Sequence, residues 1–293
     1  SKIDIGANDD VNMSQSSNDV IPTAICISSL LDTERFLLPN LDILIDAIDS
    51  RMKEVRGNVK TGRTHLMDAM PIDFSQELSG WKAQLTSVKK SLKAASNRML
   101  ELPQGGTAIG TGINTHKDFS KHFCNEVNSL SGLKTKQAKN FFQGLSSVDN
   151  AVELSSAVKN LSVVLMKISN DLRWMNSGPL TGLSEIELEA LQPGSSIMPG
   201  KVNPVIPEAV AMACADVIGN DATITVAGQS GNFQLNVMLP VVAYNLLKSI
   251  TLMANSMPLL ANKAIKTFKV NQANIAESLS KNPILVTALT PII

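Results

Sequence analysis

Cysteine is scarce and scattered: Cys26, Cys124 and Cys214 are odd in number and far apart in the sequence. That excludes a disulfide framework and a close-set metal motif, and suits free thiols in a reducing compartment. An excess of charge of one sign is also missing. Lysine plus arginine number 26, aspartate plus glutamate number 26, and no basic block appears, which argues against nucleic acid as a partner. Unbroken apolar runs are short. The longest, such as "LSVVLMKI" and "ILVTAL", fall well below the span of a bilayer, so no membrane partner is expected. Aromatic residues make up only 4% of the chain, while Ala, Ser, Leu and Met are common. Small and flexible side chains of that kind suit helices that approach one another closely.

What is present is helical periodicity over long distances. A chain of 293 residues is enough for one large domain or two ordinary ones, with a substantial core. Apolar residues recur at three-to-four spacing over 20–55, with Pro39 as a kink or short break, and again over 74–100. A third stretch, 147–175, has Ser147 or Asp149 as its cap and Gly178-Pro179 at its close. Two more lie near 204–227 and 237–264, the last with Pro240 near its start and Pro258 as a kink. No succession of alternating strand segments is seen. The expected fold class is all-α: a bundle of long helices, apolar on more than one face, as in a large core or an oligomer interface. The ends, "SKIDIGANDD" and the apolar "ILVTALTPII", read as cut from a longer polypeptide.

Polar, glycine-bearing segments separate the helices: "NDDVNMSQSSNDV" (8–20), "TGRTHLMDAMP" (61–71), "QGGTAIGTGINTHKDF" (104–119) and "QPGSSIMPGKVNP" (192–204). Each taken alone has an ordinary explanation, because loops are polar and Ser, Asn and Asp cap helices. Together they supply hydroxyls, amides, the lysines Lys117 and Lys201 and the histidines His65 and His116, with no glutamate and no cysteine. Neutral donors around an ammonium such as that of Lys201 match a small dianionic substrate. "GTAIGTG" lacks the Gly-Lys-Ser/Thr ending of a phosphate loop, and no G-x-S-x-G elbow is present. Lys201 reads as a ligand-binding or a solvated lysine, His65 as a functional or a hydrogen-bonded structural histidine, and Arg63 as a substrate clamp or a structural pair. His116 and His122 read as surface residues. Ser195 can act as a base only if backbone N–H groups or a helix N-terminus stabilise its alkoxide.

At this point a family resemblance emerges. "GSSIMPGKVNP" resembles the signature loop of the fumarase/aspartase superfamily, and "NDDVNMSQSSND", "GRTHLMDAMP", "GGTAIGTGIN" and "NDLRWMNSGPLTGLSEIELEALQPGSSIMPGKVNPVIPE" resemble its class II fumarate hydratases in the same order. "GNDATITVAGQSGNFQLNVMLPV" continues the likeness. The serine of "SQSSND", His65, the tryptophan of "DLRWM" and the missing glutamate in "NVMLPV" favour fumarase over aspartase. The resemblance implies that 1–293 is a central helical domain with its signature loop at 192–204, the family's N- and C-terminal domains being absent. It implies a homotetramer whose central helices form the core, with each active site shared by three subunits, and no cofactor or metal.

The implied reaction is reversible anti addition of water to fumarate, giving (S)-malate through an aci-carboxylate. By resemblance Ser195 is the catalytic base, and His65, paired with Glu208, handles the leaving water. Thr64, Asn18, Lys201 and Asn203 bind substrate carboxylate, and Ser16 and Ser17 line the pocket. Gly194 and Gly200 would hinge the loop. Asn8 and Asp9 are what remains of a secondary dicarboxylate site, since Gly6-Ala7 stands where relatives have His-Pro. Leu180 stands where many relatives have arginine. Aspartate ammonia-lyase and a non-catalytic core or structural relative are the alternatives. The expected location is the cytoplasm, or the mitochondrial matrix in a eukaryotic cell.

Overall fold

The computed structural model describes residues 4–284. Of the apolar tail "ILVTALTPII" only Ile284 is among them; the rest of that segment, and how it packs, lies outside the described residues. Helices dominate. A π-helical turn, Ala7–Val11, precedes α1 (Ser17–Asp32), a second π turn (Thr33–Leu37) and α2 (Leu38–Glu54). A hairpin of β1 (Val59–Thr64) and β2 (Met67–Asp73) leads into α3 (Phe74–Arg98). Then come β3 (Glu101–Leu102), α4 (Phe119–Ser131), β4 (Lys136–Gln137), α5 (Phe141–Ser146) and α6 (Asp149–Met175). The chain continues through β5 (Ile186–Glu187), α7 (Val205–Gly228), α8 (Leu239–Leu260), a third π turn (Ala261–Ile265), β6 (Lys269–Val270) and α9 (Gln272–Ser280).

The helices begin and bend for local reasons. At α1 the Ser16 hydroxyl accepts from the Asn18 N–H (3.2 Å), and Asp19 accepts from the Ser16 N–H (3.0 Å), a reciprocal cap. Pro39 lacks an N–H and crowds the carbonyl four residues earlier. The expected break is therefore a π turn, closed by the Leu38 N–H on the Thr33 carbonyl, and the helical path resumes as α2. Pro258 lies inside α8, just before the third π turn. The scarcity of large side chains has a structural counterpart in α6, where Ser155, Ser162 and Ser169 are all buried. Their spacing keeps these small side chains on one helix face.

The contacts divide the chain into two compact units. One comprises residues 4–39, Lys90–Asn160 and Asp216–Met253. Its buried residues include Leu30, Leu102, Leu145, Leu154, Val158, Ile224 and Leu246. There the buried Asp221 accepts from the Ser155 hydroxyl (2.8 Å) and the Lys159 ammonium (2.5 Å). The other comprises Asn40–Lys89, Leu161–Ala215 and residues 254–284. Its core gathers Leu41, Leu44, Phe74, Trp81, Leu165, Leu172 and Phe268, with the Trp81 indole donating to Asp171 (3.2 Å).

Two findings depart from the sequence reading. The segment 61–71, read as a polar connection, belongs to an antiparallel hairpin in which Val59 faces Asp73 and Thr64 faces Met67. The alternation that marks a strand is spoiled by a register shift between Thr61 and Arg63. Gly62 sits at that irregularity, where a Cβ would come within 2.6 Å of the Met70 carbonyl oxygen. The second departure concerns α7. By length and composition it is apolar enough to cross a membrane, with mean hydropathy 1.3 and 33% of that stretch buried. Counting only unbroken apolar runs misses this, because isolated polar residues such as Asp221 interrupt the run without ending the helix.

Asp73 joins the hairpin to α3. Its carboxylate accepts from the Ser75 N–H (2.7 Å) and the Gly57 N–H (2.7 Å), and its own N–H donates to Gln76 (3.0 Å). Hydrogen bonding from Ser75, reinforced by Gly57, holds its pKa below the ordinary value. Asp73→Ala is expected to cost about 1 kcal/mol in urea unfolding at neutral pH. Because the folded pKa is depressed, this contribution is complete above the unfolded pKa and is lost as pH falls through the folded one. The gap between wild type and variant should therefore close below about pH 4, as unfolding curves at stepped pH would show.

Candidate active site

The hairpin tip is built from His65 and Leu66, which join the paired residues Thr64 and Met67. Both have positive φ, 54° and 60°. A two-residue turn matched to strand twist requires that conformation, and glycine or asparagine is its usual occupant. Here an imidazole and a leucine hold it, a local strain of the kind found at functional positions. Thr64, His65 and Leu66 are all exposed.

A second group of candidates surrounds the start of α1. The Asn18 amide donates to the Ala108 carbonyl (2.8 Å), and Ser14 donates to that of Asn114 (2.7 Å). Both bonds fasten the glycine-rich segment 104–116 to the residues before and within the first turn of α1. That segment turns through positive φ at Gly105, Thr107, Gly110, Gly112 and Asn114. Its anchor is Asp19, which sequence reasoning passed over. The Asp19 side chain is fully buried, and one oxygen accepts both the Gly105 and Thr107 N–H groups at 2.9 Å. The other oxygen closes the cap on Ser16. The available signal was the "S-x-x-D" spacing of a capping box, which gives no hint of the second, long-range duty.

A third group lies at the entry to α7. Lys201, Asn203 and Glu208 line one cleft of about 740 Å³, together with Arg173, Trp174 and Glu187. The Lys201 ammonium donates to the Asn203 side-chain oxygen at 2.7 Å. Glu208 lies in the first turn of α7, where the unpaired N–H groups favour a negative charge. A cation and an amide side by side offer a carboxylate both charge and directed hydrogen bonds.

The signature loop closes on itself. The Ser195 N–H donates to the Lys201 carbonyl (3.3 Å), and the Lys201 N–H to that of Met198 (3.1 Å). The Ser195 hydroxyl oxygen accepts from the Met198 N–H at 3.3 Å. One backbone donor thus already faces the oxygen that an alkoxide would need stabilised. Gly200 has φ 83°, open to glycine without strain, and nothing lies within 4 Å of where its Cβ would be.

The predicted residues therefore fall into separate groups. Lys201, Asn203 and Glu208 meet in the cleft, with Ser195 on the same loop. Thr64 and His65 share the hairpin tip. Ser16, Ser17 and Asn18 open α1. Among the described residues, no hydrogen bond or ion pair joins His65 to Glu208. Asn8 and Asp9 lie exposed in the first π turn. His116 and His122 are exposed, as surface residues should be. Arg63, left open between clamp and pair, is engaged by Glu185. The cysteines are free and buried, and burial pushes the Cys26 and Cys214 thiols up to about 12. Neither is suited to nucleophilic work at neutral pH.

Comparison with known proteins identifies the family and the fold. A family model described as "Lyase" matches residues 2–219. A protein named fumarate hydratase class II 2, from Pseudomonas aeruginosa, is 59% identical over 99% of this chain and 63% of its own length. Fumarate hydratase class II from Bacillus subtilis is 45% identical over 98% of this chain and 62% of its own. The crystal structure of a recombinant class II fumarase from Schistosoma mansoni superposes with a TM-score of 0.95 at 39% identity, covering 98% of this chain and 63% of that one. The chain thus spans somewhat less than two thirds of the length of these relatives.

Asp19 provides the test of how the site is held. Asp19→Ala strips Gly105 and Thr107 of their acceptor in a buried setting, at an expected cost of about 3 kcal/mol. Hydrogen exchange should accelerate over 104–116, whereas α6 should keep its protection. Unfolding curves and peptide-level exchange on the same variant would measure both effects.

Proposed function

Because the chain belongs to the lyase family, of the fumarase/aspartase type, we propose that it serves the reversible hydration of fumarate to (S)-malate. The convergence of Lys201, Asn203 and Glu208 in one cleft at the entry to α7 carries this reading. The difficult step removes a weakly acidic C–H proton beside a carboxylate, which then carries an added negative charge. Lys201 and Asn203 meet that charge, so their interaction strengthens as the aci-carboxylate develops. Ser195 takes the proton, its oxygen supported by a backbone N–H. His65 delivers a proton to the departing hydroxyl, with Glu208 orienting its imidazole. Thr64, Asn18, Ser16 and Ser17 hold the far end of the dicarboxylate. Closure of the loop about Gly194 and Gly200 excludes water during the proton transfers.

The reading includes a homotetramer in which the groups of one site come from three protomers. Exposed apolar side chains on the long helices support it: Val163 and Trp174 on α6, Met212 and Val226 on α7, Tyr244 on α8. An α7 that is apolar but only partly buried in one protomer gains cover from other copies. The location belongs to the same reading, a reducing compartment such as the cytoplasm or mitochondrial matrix, and the unpaired cysteines support it.

Two measurements on the full polypeptide test the proposal. Absorbance at the fumarate double bond should show malate dehydration, with no fumarate formed from aspartate. Ser195→Ala should lower kcat at least ~100-fold, the scale of a lost general base. Near-normal turnover in that variant would remove Ser195 from the role. Light scattering should give a tetramer, and Met212→Glu should shift it to smaller species with loss of activity. A monomer that turns over normally would overturn the shared-site arrangement.

A further inference from the structure

We propose that Glu185 is a positioning residue: its buried carboxylate locks the hairpin bearing Thr64 and His65 to the segment that forms the cleft wall beside Lys201. The inference rests on the hydratase reading for its catalytic consequence, though its structural half stands independently.

The Glu185 side chain is 3% exposed and lies between two cations of β1. One oxygen receives the Lys60 ammonium at 2.6 Å, and the other pairs with the Arg63 guanidinium. Lys60, itself 5% exposed at its side chain, has Glu77 at 2.7 Å and the face of Phe74 4.8 Å from its nitrogen. Glu185 and Glu77 thus face the two cations, Lys60 and Glu185 are sealed from water, and the exposed Asp68 comes within 3.9 Å of the Arg63 Nε. Arg63 immediately precedes Thr64, so its side chain governs where the hairpin tip points.

The other end of the link is equally fixed. The Glu185 N–H donates to the Met175 carbonyl at the end of α6 (2.8 Å), and its carbonyl accepts from Asn271 (2.9 Å). The next residue, Ile186, pairs with Val270 in the β5–β6 ladder. Glu187, Leu188 and Glu189 then line the cleft that holds Lys201, Asn203 and Glu208. Leu188 is pinned in turn by the Asn176 side chain at 2.8 Å. One carboxylate thus connects the strained tip to the cleft wall through charge-assisted bonds in a dry setting, where such bonds are stiff and hard to replace.

Glu185→Gln, nearly identical in shape, removes the charge and leaves Lys60 with Glu77 and Arg63 with the exposed Asp68. In the full polypeptide kcat should fall ~10- to 100-fold, the scale of a small misplacement, with KM changed less than about 3-fold. Hydrogen exchange of the 59–73 peptide should quicken while α3 keeps its protection. A purely structural role would lower thermal stability yet leave kcat of the folded enzyme intact. Turnover within about twofold of wild type, with wild type active, overturns the proposal. If wild type fails to hydrate fumarate, the hydratase reading falls and exchange decides alone: an unchanged hairpin rejects the lock, a loosened one supports it. Should the Gln variant not fold, Glu185→Asp keeps the charge but shortens its reach. It should show the same kcat loss in milder form, and wild-type kcat with wild-type exchange would reject the role.

Discussion

A carboxylate sealed from water must find its hydrogen-bond donors inside the protein, and wherever it finds them it fixes the chain. Asp19 and Glu185 each do this, in separate compact units. The Asp19 carboxylate is met by three backbone N–H groups, two of them in the glycine-rich segment, so it helps dictate the path of that segment. Glu185 has cations as partners, so it dictates the direction of a hairpin. Desolvation makes both arrangements intolerant of a missing partner, and that intolerance gives positional accuracy to otherwise exposed segments.

The long helices contribute differently. They are rigid and carry little chemistry along their length, and their polar candidates cluster at their ends and in the segments between them. Helix ends offer unpaired backbone groups and a partial charge, while interiors offer neither. Glu208 in the first turn of α7 exploits this by its charge, and Ser16 at the start of α1 by accepting the Asn18 N–H. The sides of the same helices expose apolar groups, Met212 and Tyr244 among them. The polar candidates at the ends and the apolar groups along the sides thus use different surfaces.

Much of this was legible in the residue order. Helical periodicity located α3, α6 and α7 to within a few residues, since a buried stripe must repeat with the helical turn. The effect of Pro39 was also visible, although its form, a π turn instead of a break, was not. The hairpin was hidden because its strands are short, interrupted at Gly62 and partly exposed, so the two-residue alternation never develops. Lys201, Asn203 and Ser195 stood out through the dense loop around them. Asp19 and Glu185 did not, because each sits in a stretch where a carboxylate has an ordinary explanation as a cap or a solvated charge.

Composition and periodicity by themselves settled that this is a helix-rich chain with free thiols and no net charge, and the order of its polar motifs settled its family. These are local or additive properties, readable without knowing which distant residues meet. Only the tertiary structure decided that Arg63 is bound to a carboxylate more than a hundred positions away in sequence, that Asp19 holds a loop, and that His65 takes a left-handed turn. The first two outcomes depend on burial, and burial is a property of the folded whole: the same side chain is a solvated charge in water and a fixed link once its surroundings exclude water.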